Sequence, residues 1–170
     1  MCRNDWDQIA MIYQDGIETD NATFEQSVPS WDSWILNHPL EFGIVARSDD
    51  EILGWAALSP TSRRKVYDGV MEVSVYVSEK YRGGGVGLAL LKKLIELSED
   101  QGVWTLQAGI FPENQRSIML HAKCGFKIVG IREKIGKMKG IWRGVVLMER
   151  RKHEMGLNNL MDKNNGPAGI

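Results

Sequence analysis

The chain has 170 residues, enough for one domain with its own hydrophobic core. Its content of 43% apolar and 25% charged residues is typical of a globular protein. Twenty-one basic and twenty-two acidic residues give a net charge of −1. This balance argues against nucleic acid or an anionic membrane as the main partner, because both favour a surplus of lysine and arginine.

Cysteine usage and hydropathy bear on location. Cys2 and Cys124 are the only cysteines, and neither belongs to a metal-ligand spacing or a disulfide framework. No apolar run is long enough to span a bilayer, and no signal peptide opens the chain. We therefore expect a cytoplasmic protein with reduced cysteines and no metal.

The first half of the chain predicts two helices and then a β-hairpin. The expected elements are a helix capped by Asp5 and ending near Glu18, a helix over Ser30–Asn37, and strands over Phe42–Arg47 and Ile52–Leu58. Turn-forming residues 48–51 join the two strands. A basic loop, 59–69, follows the hairpin.

The second half predicts alternating strands and helices. The expected elements are strands over Val70–Val77 and Val103–Ile110, a long helix stopped by Gly102, a helix over Asn114–Lys123, and strands over Phe126–Gly130 and about Gly144–Met148. This order indicates one α/β domain over residues 1–152, with a mixed sheet and helices on both faces. Residues 153–170, rich in Asn and Gly, are expected to form a flexible tail.

A glycine-rich turn separates the strand ending at Val77 from the long helix. Its sequence is Arg82-Gly83-Gly84-Gly85-Val86-Gly87. Glycines allow a tight turn and leave room for a ligand, and the helix that follows points unpaired N–H groups at one spot. Such a site suits an anion such as a pyrophosphate. The spacing matches neither the dinucleotide-binding fingerprint nor the P-loop.

The turn resembles the [QR]-x-x-G-x-[GA] signature of the GCN5-related N-acetyltransferases, which also lies between a strand and a helix. The resemblance extends over about residues 9–149. Three further segments resemble the phosphinothricin and methionine sulfoximine acetyltransferases of that family: Glu72–Ser78, the Asn114-x-x-Ser117-x-x-x-His121-x-x-x-Gly125-Phe126 helix, and Gly140-x-Trp142. Arg64-x-x-Tyr67 lies upstream, as in many of these enzymes.

The resemblance implies a fold, a cofactor and an activity. It implies a mostly antiparallel sheet in which a splayed strand pair binds acetyl-CoA, used to acetylate the amino group of a small amino-acid-like substrate. It also implies a homodimer. The residues implied in acetyl-CoA binding are Val75, Tyr76, Val77, Arg82, Gly83, Gly84, Gly85, Val86, Gly87, Asn114 and Ser117.

The resemblance also suggests which residues act on the amine. Glu72 is expected to be the general base or to bind the substrate ammonium, since desolvation can raise the pKa of a carboxyl group there. The Val77 amide is a candidate oxyanion donor. His121 replaces the tyrosine that protonates the thiolate in many relatives, and is expected to act as an acid or to assist the base.

Several residues are candidates for contacting the substrate. Arg64 and Tyr67 are expected to bind its carboxylate, because the planar guanidinium matches a carboxylate in two hydrogen bonds. Trp142 is expected to wall the side-chain pocket, together with Tyr13 and Phe24. On the helix with His121, Ile118 and Ala122 are left to face the core.

The chain departs from the family pattern at several points. Its first helix begins by residue 5, so the usual preceding strand is expected to be short or missing, which exposes a sheet edge. Gly144 replaces the usual Asp of the late motif, and Met138 replaces a common Lys. Other amines remain open as substrates, namely a peptide N-terminus, a polyamine or an aminoglycoside, and so does a non-catalytic acyl-CoA sensor.

Overall fold

The structure, a computed structural model, describes residues 1–152, so the expected tail lies outside the described residues. Its helices are α1 (Trp6–Glu18), α2 (Trp31–Ile35), α3 (Val86–Asp100) and α4 (Gln115–Lys123). Its strands are β1 (Ile44–Ser48), β2 (Glu51–Pro60), β3 (Val70–Val77), β4 (Thr105–Ile110), β5 (Lys127–Met138) and β6 (Ile141–Arg151). Within these residues, no helix has the length and apolar character needed to cross a membrane.

The six strands form one sheet in the order β1-β2-β3-β4-β6-β5. Every neighbouring pair is antiparallel except β3 and β4, which run parallel. This parallel pair has only three paired positions, from Val70 opposite Thr105 to Glu72 opposite Gln107. Beyond that point the two strands separate, as expected for the splayed pair.

Helices cover both faces of the sheet, which confirms the expected α/β architecture. On one face, α3 buries Leu90, Leu91 and Leu94 against Leu58 and Leu106 of the strands. On the other face, α1 and α2 form an aromatic-rich core around Trp34 and Trp55. The apolar residues of α1 fall three or four positions apart, which places them on one helical face.

The last two strands are longer than the sequence predicted. Instead of short strands ending near Gly130 and beginning near Gly144, a hairpin extends β5 to 12 residues and β6 to 11. Lys139 and Gly140 form its turn, both with positive φ (48° and 82°). Two consecutive left-handed residues are the geometry that a two-residue hairpin turn requires.

Asp5 is the N-cap residue of α1, as expected, but its side chain does not cap the helix. Its buried carboxylate instead accepts a hydrogen bond of 2.7 Å from the Cys2 amide and pairs with Arg47 of β1. In the described residues no strand precedes α1, and β1 lies at the edge of the sheet.

Candidate active site

The separation of β3 from β4 leaves backbone groups of β3 facing a gap. On the side of β3 that faces β2, the Ser78 amide donates a hydrogen bond to the Leu53 carbonyl at 2.9 Å. The Val70 carbonyl points to the same side, where it accepts from the Thr61 amide at 3.4 Å. Because successive residues of a strand direct their backbone groups to opposite sides, Val75 and Val77 direct theirs into the gap. These unpaired groups can bind an extended ligand lying between the strands.

The glycine turn lies at the open end of the gap. Gly83 and Gly85 have φ of 83° and 86°, a conformation that strains any residue with a β-carbon. Gly85 is the N-cap of α3, so the first amides of that helix lack helical partners. The Arg82 Nε donates to the Val77 carbonyl at 3.2 Å, which ties the turn to the end of β3.

Gly87 lies at a junction of three elements. A β-carbon added there would contact Leu120 of α4 and Val77 of β3, each at 3.4 Å. The absence of a side chain therefore keeps space between α3, α4 and the open strand end. Together with the turn and the unpaired amides, this space fits the pyrophosphate and pantetheine arm of acetyl-CoA.

A cavity of about 180 Å³ opens on the face of the sheet that carries α1. It begins at the closed end of the gap, where Glu72 and Gln107 form the last strand pair. Its lining residues are Phe24, Glu72, Gln107, Gly109, Arg132, Ile135, Val145 and Leu147. Phe24, hypothesised to wall the substrate pocket, is among them.

The Glu72 carboxylate is the acidic group of this cavity. Its side chain is exposed to the cavity rather than packed in the core, yet the walls limit its hydration. This desolvation raises the pKa of Glu72 above its ordinary value, and the Arg132 charge and the Gly109 backbone offset part of the rise. A carboxylate with a raised pKa suits proton abstraction from an ammonium.

Helix α4 presents its polar residues differently from the sequence prediction. Asn114 is its N-cap: its side chain accepts from the Ser117 amide at 3.2 Å and donates to the Asn21 carbonyl at 3.1 Å. His121 is buried, whereas Ala122, expected to face the core, is exposed. The helix therefore turns its histidine inward.

The tautomer of His121 follows from its surroundings. Nδ1 lies 2.8 Å from the Ser117 carbonyl oxygen, so it carries the proton and donates. Nε2 is buried and, within residues 1–152, has no hydrogen-bond partner. Burial lowers the pKa of His121, which favours a neutral imidazole with a free lone pair on Nε2.

Three residues expected to hold the substrate lie outside the cavity lining. Arg64 and Tyr67 are exposed, with the guanidinium 5.6 Å from the ring centroid of Tyr67. Trp142 is 57% exposed on the β5–β6 hairpin, with Lys137 5.8 Å from its ring centroid. Their roles in substrate binding stay predictions.

Arg132 is the charged cavity residue that sequence reasoning missed. It lies on β5, where the pairing with β6 shifts register between Arg132 and Gly136. Such a shift breaks the alternation from which strands are recognised. Gly136 and Gly144, both on the hairpin, were the available sequence signals of an irregular strand.

Known proteins resemble this chain in sequence. Residues 5–126 match the model of the acetyltransferase (GNAT) family. An L-methionine sulfoximine/L-methionine sulfone acetyltransferase of Pseudomonas aeruginosa is 31% identical, spanning 83% of this chain and 86% of that protein. A phosphinothricin N-acetyltransferase of Alcaligenes faecalis is 34% identical, spanning 86% of this chain and 78% of that protein.

Solved structures share the fold over most of their length. A ribosomal-protein-alanine N-acetyltransferase from Brucella melitensis has a TM-score of 0.83 and 29% identity, covering 89% of this chain and 97% of that one. A phosphinothricin acetyltransferase from Sinorhizobium meliloti, solved in complex with acetyl-CoA, has a TM-score of 0.79 and 28% identity, covering 89% and 85%. This chain belongs to the GNAT family of acetyltransferases, enzymes that transfer an acetyl group from acetyl-CoA to an amine.

Proposed function

We propose that the protein acetylates the α-amino group of a small amino-acid-like substrate, of the phosphinothricin, methionine sulfoximine or methionine sulfone type. The observation that carries this proposal is the position of Glu72, at the closed end of the strand gap and inside a small cavity. The similarity to relatives named for these substrates supports the substrate class. The size of the cavity also supports a small substrate, since its volume of about 180 Å³ is below the roughly 300–1,000 Å³ of sites that bind drug-sized ligands.

The protein's residues divide the work between binding and proton transfer. Acetyl-CoA supplies the acetyl thioester. Residues Arg82 to Gly87 and the first turn of α3 hold its pyrophosphate, and the Val77 amide donates to the carbonyl oxygen as negative charge develops there. Glu72 accepts a proton from the substrate ammonium, which frees the lone pair that attacks the acetyl carbon. The C–S bond then breaks, and coenzyme A leaves as a thiolate that takes up the second proton lost by the amine nitrogen. Direct transfer of this kind requires both substrates to be bound together.

The protonation state of His121 limits the part that this residue can take in proton transfer. Because its pKa is lowered and Nδ1 already donates to Ser117, the neutral ring can accept a proton at Nε2 but has none to donate there. These properties suit a proton acceptor rather than a standing acid for the leaving thiolate. His121 does not line the cavity that holds Glu72, and its Nε2 is buried, so proton transfer to it requires a local movement that exposes this atom. Ser117, with Oγ 3.4 Å from Nδ1, helps to fix the ring.

The protein is further proposed to be a homodimer. Within residues 1–152, strand β5 lies at the edge of the sheet, and its outer backbone groups have no partner strand there. The strand also exposes three apolar residues, Ile128, Val129 and Ile131, between 57% and 63%. Exposed apolar side chains along a sheet edge favour binding of a protein partner, and a second copy of this chain is the simplest such partner.

A peptide N-terminus is the second candidate substrate. The structural neighbour named for the alanine of a ribosomal protein is 29% identical to this chain, close to the identity of the neighbours named for phosphinothricin. A peptide also offers an α-amino group, but its first residue carries no free carboxylate. The presence or absence of that carboxylate therefore distinguishes the two candidates.

An amine panel tests the proposal. Purified protein, acetyl-CoA and one amine at a time are mixed, and release of the coenzyme A thiol is followed. The panel holds methionine sulfoximine, methionine sulfone, phosphinothricin, ordinary amino acids, spermidine, an aminoglycoside and an alanine-initiated peptide. We expect turnover confined to the glutamate-like amino acids. Turnover with spermidine or the peptide alone would overturn the substrate class, and acetyl-CoA binding without thiol release from any amine would favour the sensor.

A further inference from the structure

Arg132 brings a guanidinium to the cavity that holds Glu72. It is among the cavity lining, and its positive charge lowers the pKa of Glu72. The backbone there departs from a regular strand: pairing with β6 shifts register between Arg132 and Gly136, and Lys134 has a φ of 49°. Arg132 is therefore presented by a local bulge at the start of the shift.

Two glycines make room for this bulge. A β-carbon at Gly144 would lie 2.8 Å from the Arg132 carbonyl oxygen and 3.3 Å from the Glu133 Cα. A β-carbon at Gly136 would lie 2.6 Å from the Phe24 ring. A side chain at either position would force the bulge or the cavity wall to move. The glycine that replaces the family's usual Asp at 144 is thus required by the backbone that carries Arg132.

The charge of Arg132 is not neutralised by an ion pair in the described part of the chain. Two other cations of the hairpin are paired there: Lys139 with Asp20 at 2.6 Å and Arg143 with Glu113 at 2.9 Å. Arg132 forms no such pair, and its side chain is exposed towards the cavity. An unpaired guanidinium beside a carboxylate matches a ligand that carries both charges.

We propose that Arg132 binds the α-carboxylate of the amino-acid substrate and thereby selects α-amino acids over other amines. The inference rests on the proposed function and specifies how the same site recognises its substrate. In an α-amino acid, one carbon carries both the ammonium and the carboxylate. An ammonium held at Glu72 therefore brings the carboxylate into the part of the cavity that Arg132 lines. The guanidinium offers the planar pair of donors that a carboxylate accepts.

This assignment differs from the one that the sequence suggested. Arg64 was expected to bind the carboxylate, but it lies outside the cavity lining and contacts Tyr67 instead. Arg132 shares the cavity with Glu72. Removing each arginine in turn distinguishes the two assignments, because selection for a carboxylate should be lost in the variant that lacks the binding residue.

The test compares two substrates that differ only in the carboxylate. Methionine sulfone and its decarboxylated amine, 3-(methylsulfonyl)propylamine, are assayed with the wild type, Arg132→Gln, Arg132→Lys and Arg64→Gln. Lys127→Gln, on the same strand and outside the cavity, is the matched control. Because a hydrogen-bonded charge is removed, Arg132→Gln should lower kcat/KM for methionine sulfone by about 10- to 100-fold, mainly through KM. The decarboxylated amine should be affected less than about threefold, and Arg132→Lys should recover part of the loss.

Several outcomes would overturn the inference. One is an Arg132→Gln variant that keeps the wild-type preference for methionine sulfone, and another is an equal loss on both substrates in a variant that unfolds at the wild-type temperature. A third is loss of the preference in Arg64→Gln alone. The melting temperature of each variant distinguishes a misfolded bulge from the loss of one contact. A misfolded variant would melt at a lower temperature and lose activity on both amines. A wild type that acetylates no amino acid would instead overturn the proposed substrate class, and this inference with it.

Discussion

Gly109 lies against the carboxylate of Glu72: a β-carbon added to this glycine would be 3.4 Å from Glu72 Oε1. The two residues are on neighbouring strands, one on each side of the gap that opens beyond Glu72 and Gln107. The missing side chain at 109 leaves the carboxylate facing empty space rather than a packed neighbour. Glu72 is thereby accessible to a small ligand while still partly desolvated.

The pH dependence of the reaction should report the environment of Glu72. A base must be deprotonated, so kcat/KM is expected to fall as the pH drops through the pKa of Glu72. Because partial desolvation in the cavity raises that pKa, activity should fall at a pH above the roughly 4.3 of an ordinary glutamate. The Arg132→Gln variant lacks the positive charge that lowers the pKa of Glu72. The acidic limb of its pH–rate profile should therefore lie at higher pH than that of the wild type.

The pH–rate profile is measured with the amine that lacks a carboxylate, so that the loss of substrate binding does not hide the shift. Lys127→Gln, on the same strand, is the control and should leave the limb in place. A limb that stays at the wild-type pH in Arg132→Gln, or moves to lower pH, would contradict the assignment of Glu72 as the base influenced by Arg132.

The glycine turn offers a matched pair of substitutions at the two ends of α3. Gly85 and Gly102 have φ of 86° and 83°, and a β-carbon at either would meet no atom within 4 Å. Alanine should therefore cost a similar stability at both sites, about 1–2 kcal/mol from backbone strain. Only Gly85→Ala should also raise the KM for acetyl-CoA, because Gly85 begins the anion-binding turn. Equal acetyl-CoA KM values in the two variants would place the pyrophosphate elsewhere.

His121→Asn separates a catalytic from a structural histidine. Asparagine keeps a donor near Nδ1 for the Ser117 carbonyl but lacks the Nε2 lone pair. We expect kcat to fall by about 10-fold or more with little change in either KM, as for the loss of a proton acceptor. A variant with full kcat and a lower melting temperature would show that the buried ring only supports the packing against Phe126, 5.0 Å away.

The edge strand β5 provides a test of the proposed dimer. Ile131 is 63% exposed there, so Ile131→Lys places a charge on the proposed interface without disturbing the core. Sedimentation or light scattering should report a dimer for the wild type and a shift towards monomer for the variant. A wild type that is monomeric at assay and at tenfold higher concentration would contradict the proposal.

Much of the fold follows from local patterns. Period-3.6 apolar residues and glycine stops predicted α1, α3 and α4, and the β-branched run Val70–Val77 predicted β3 with both ends correct. The separation of β3 from β4 was expected only through the family resemblance, because it depends on how two distant strands pair. The N-cap position of Asp5 was predicted correctly, but not its hydrogen bonds, because a carboxylate before a helix can bond other partners, here the Cys2 amide and Arg47.

The site was less predictable than the fold. Glu72 and the glycine turn could be predicted because their motifs are contiguous in sequence, and their roles stay predictions. Arg132 was missed because the β5 bulge breaks the two-residue alternation on which strand prediction depends. His121 was expected on a polar stripe, but a helix buries whichever face its neighbours cover, and here that face includes the histidine.

The most direct test of the account is product formation by Glu72→Gln. Wild type and variant are incubated with acetyl-CoA and methionine sulfone, the product is identified by mass spectrometry, and acetyl-CoA binding is measured separately. We predict N-acetylmethionine sulfone from the wild type, and from the variant a kcat/KM at least about 100-fold lower with unchanged acetyl-CoA binding. A variant as active as the wild type, or a wild type that forms no acetylated amino acid, would contradict the central claim.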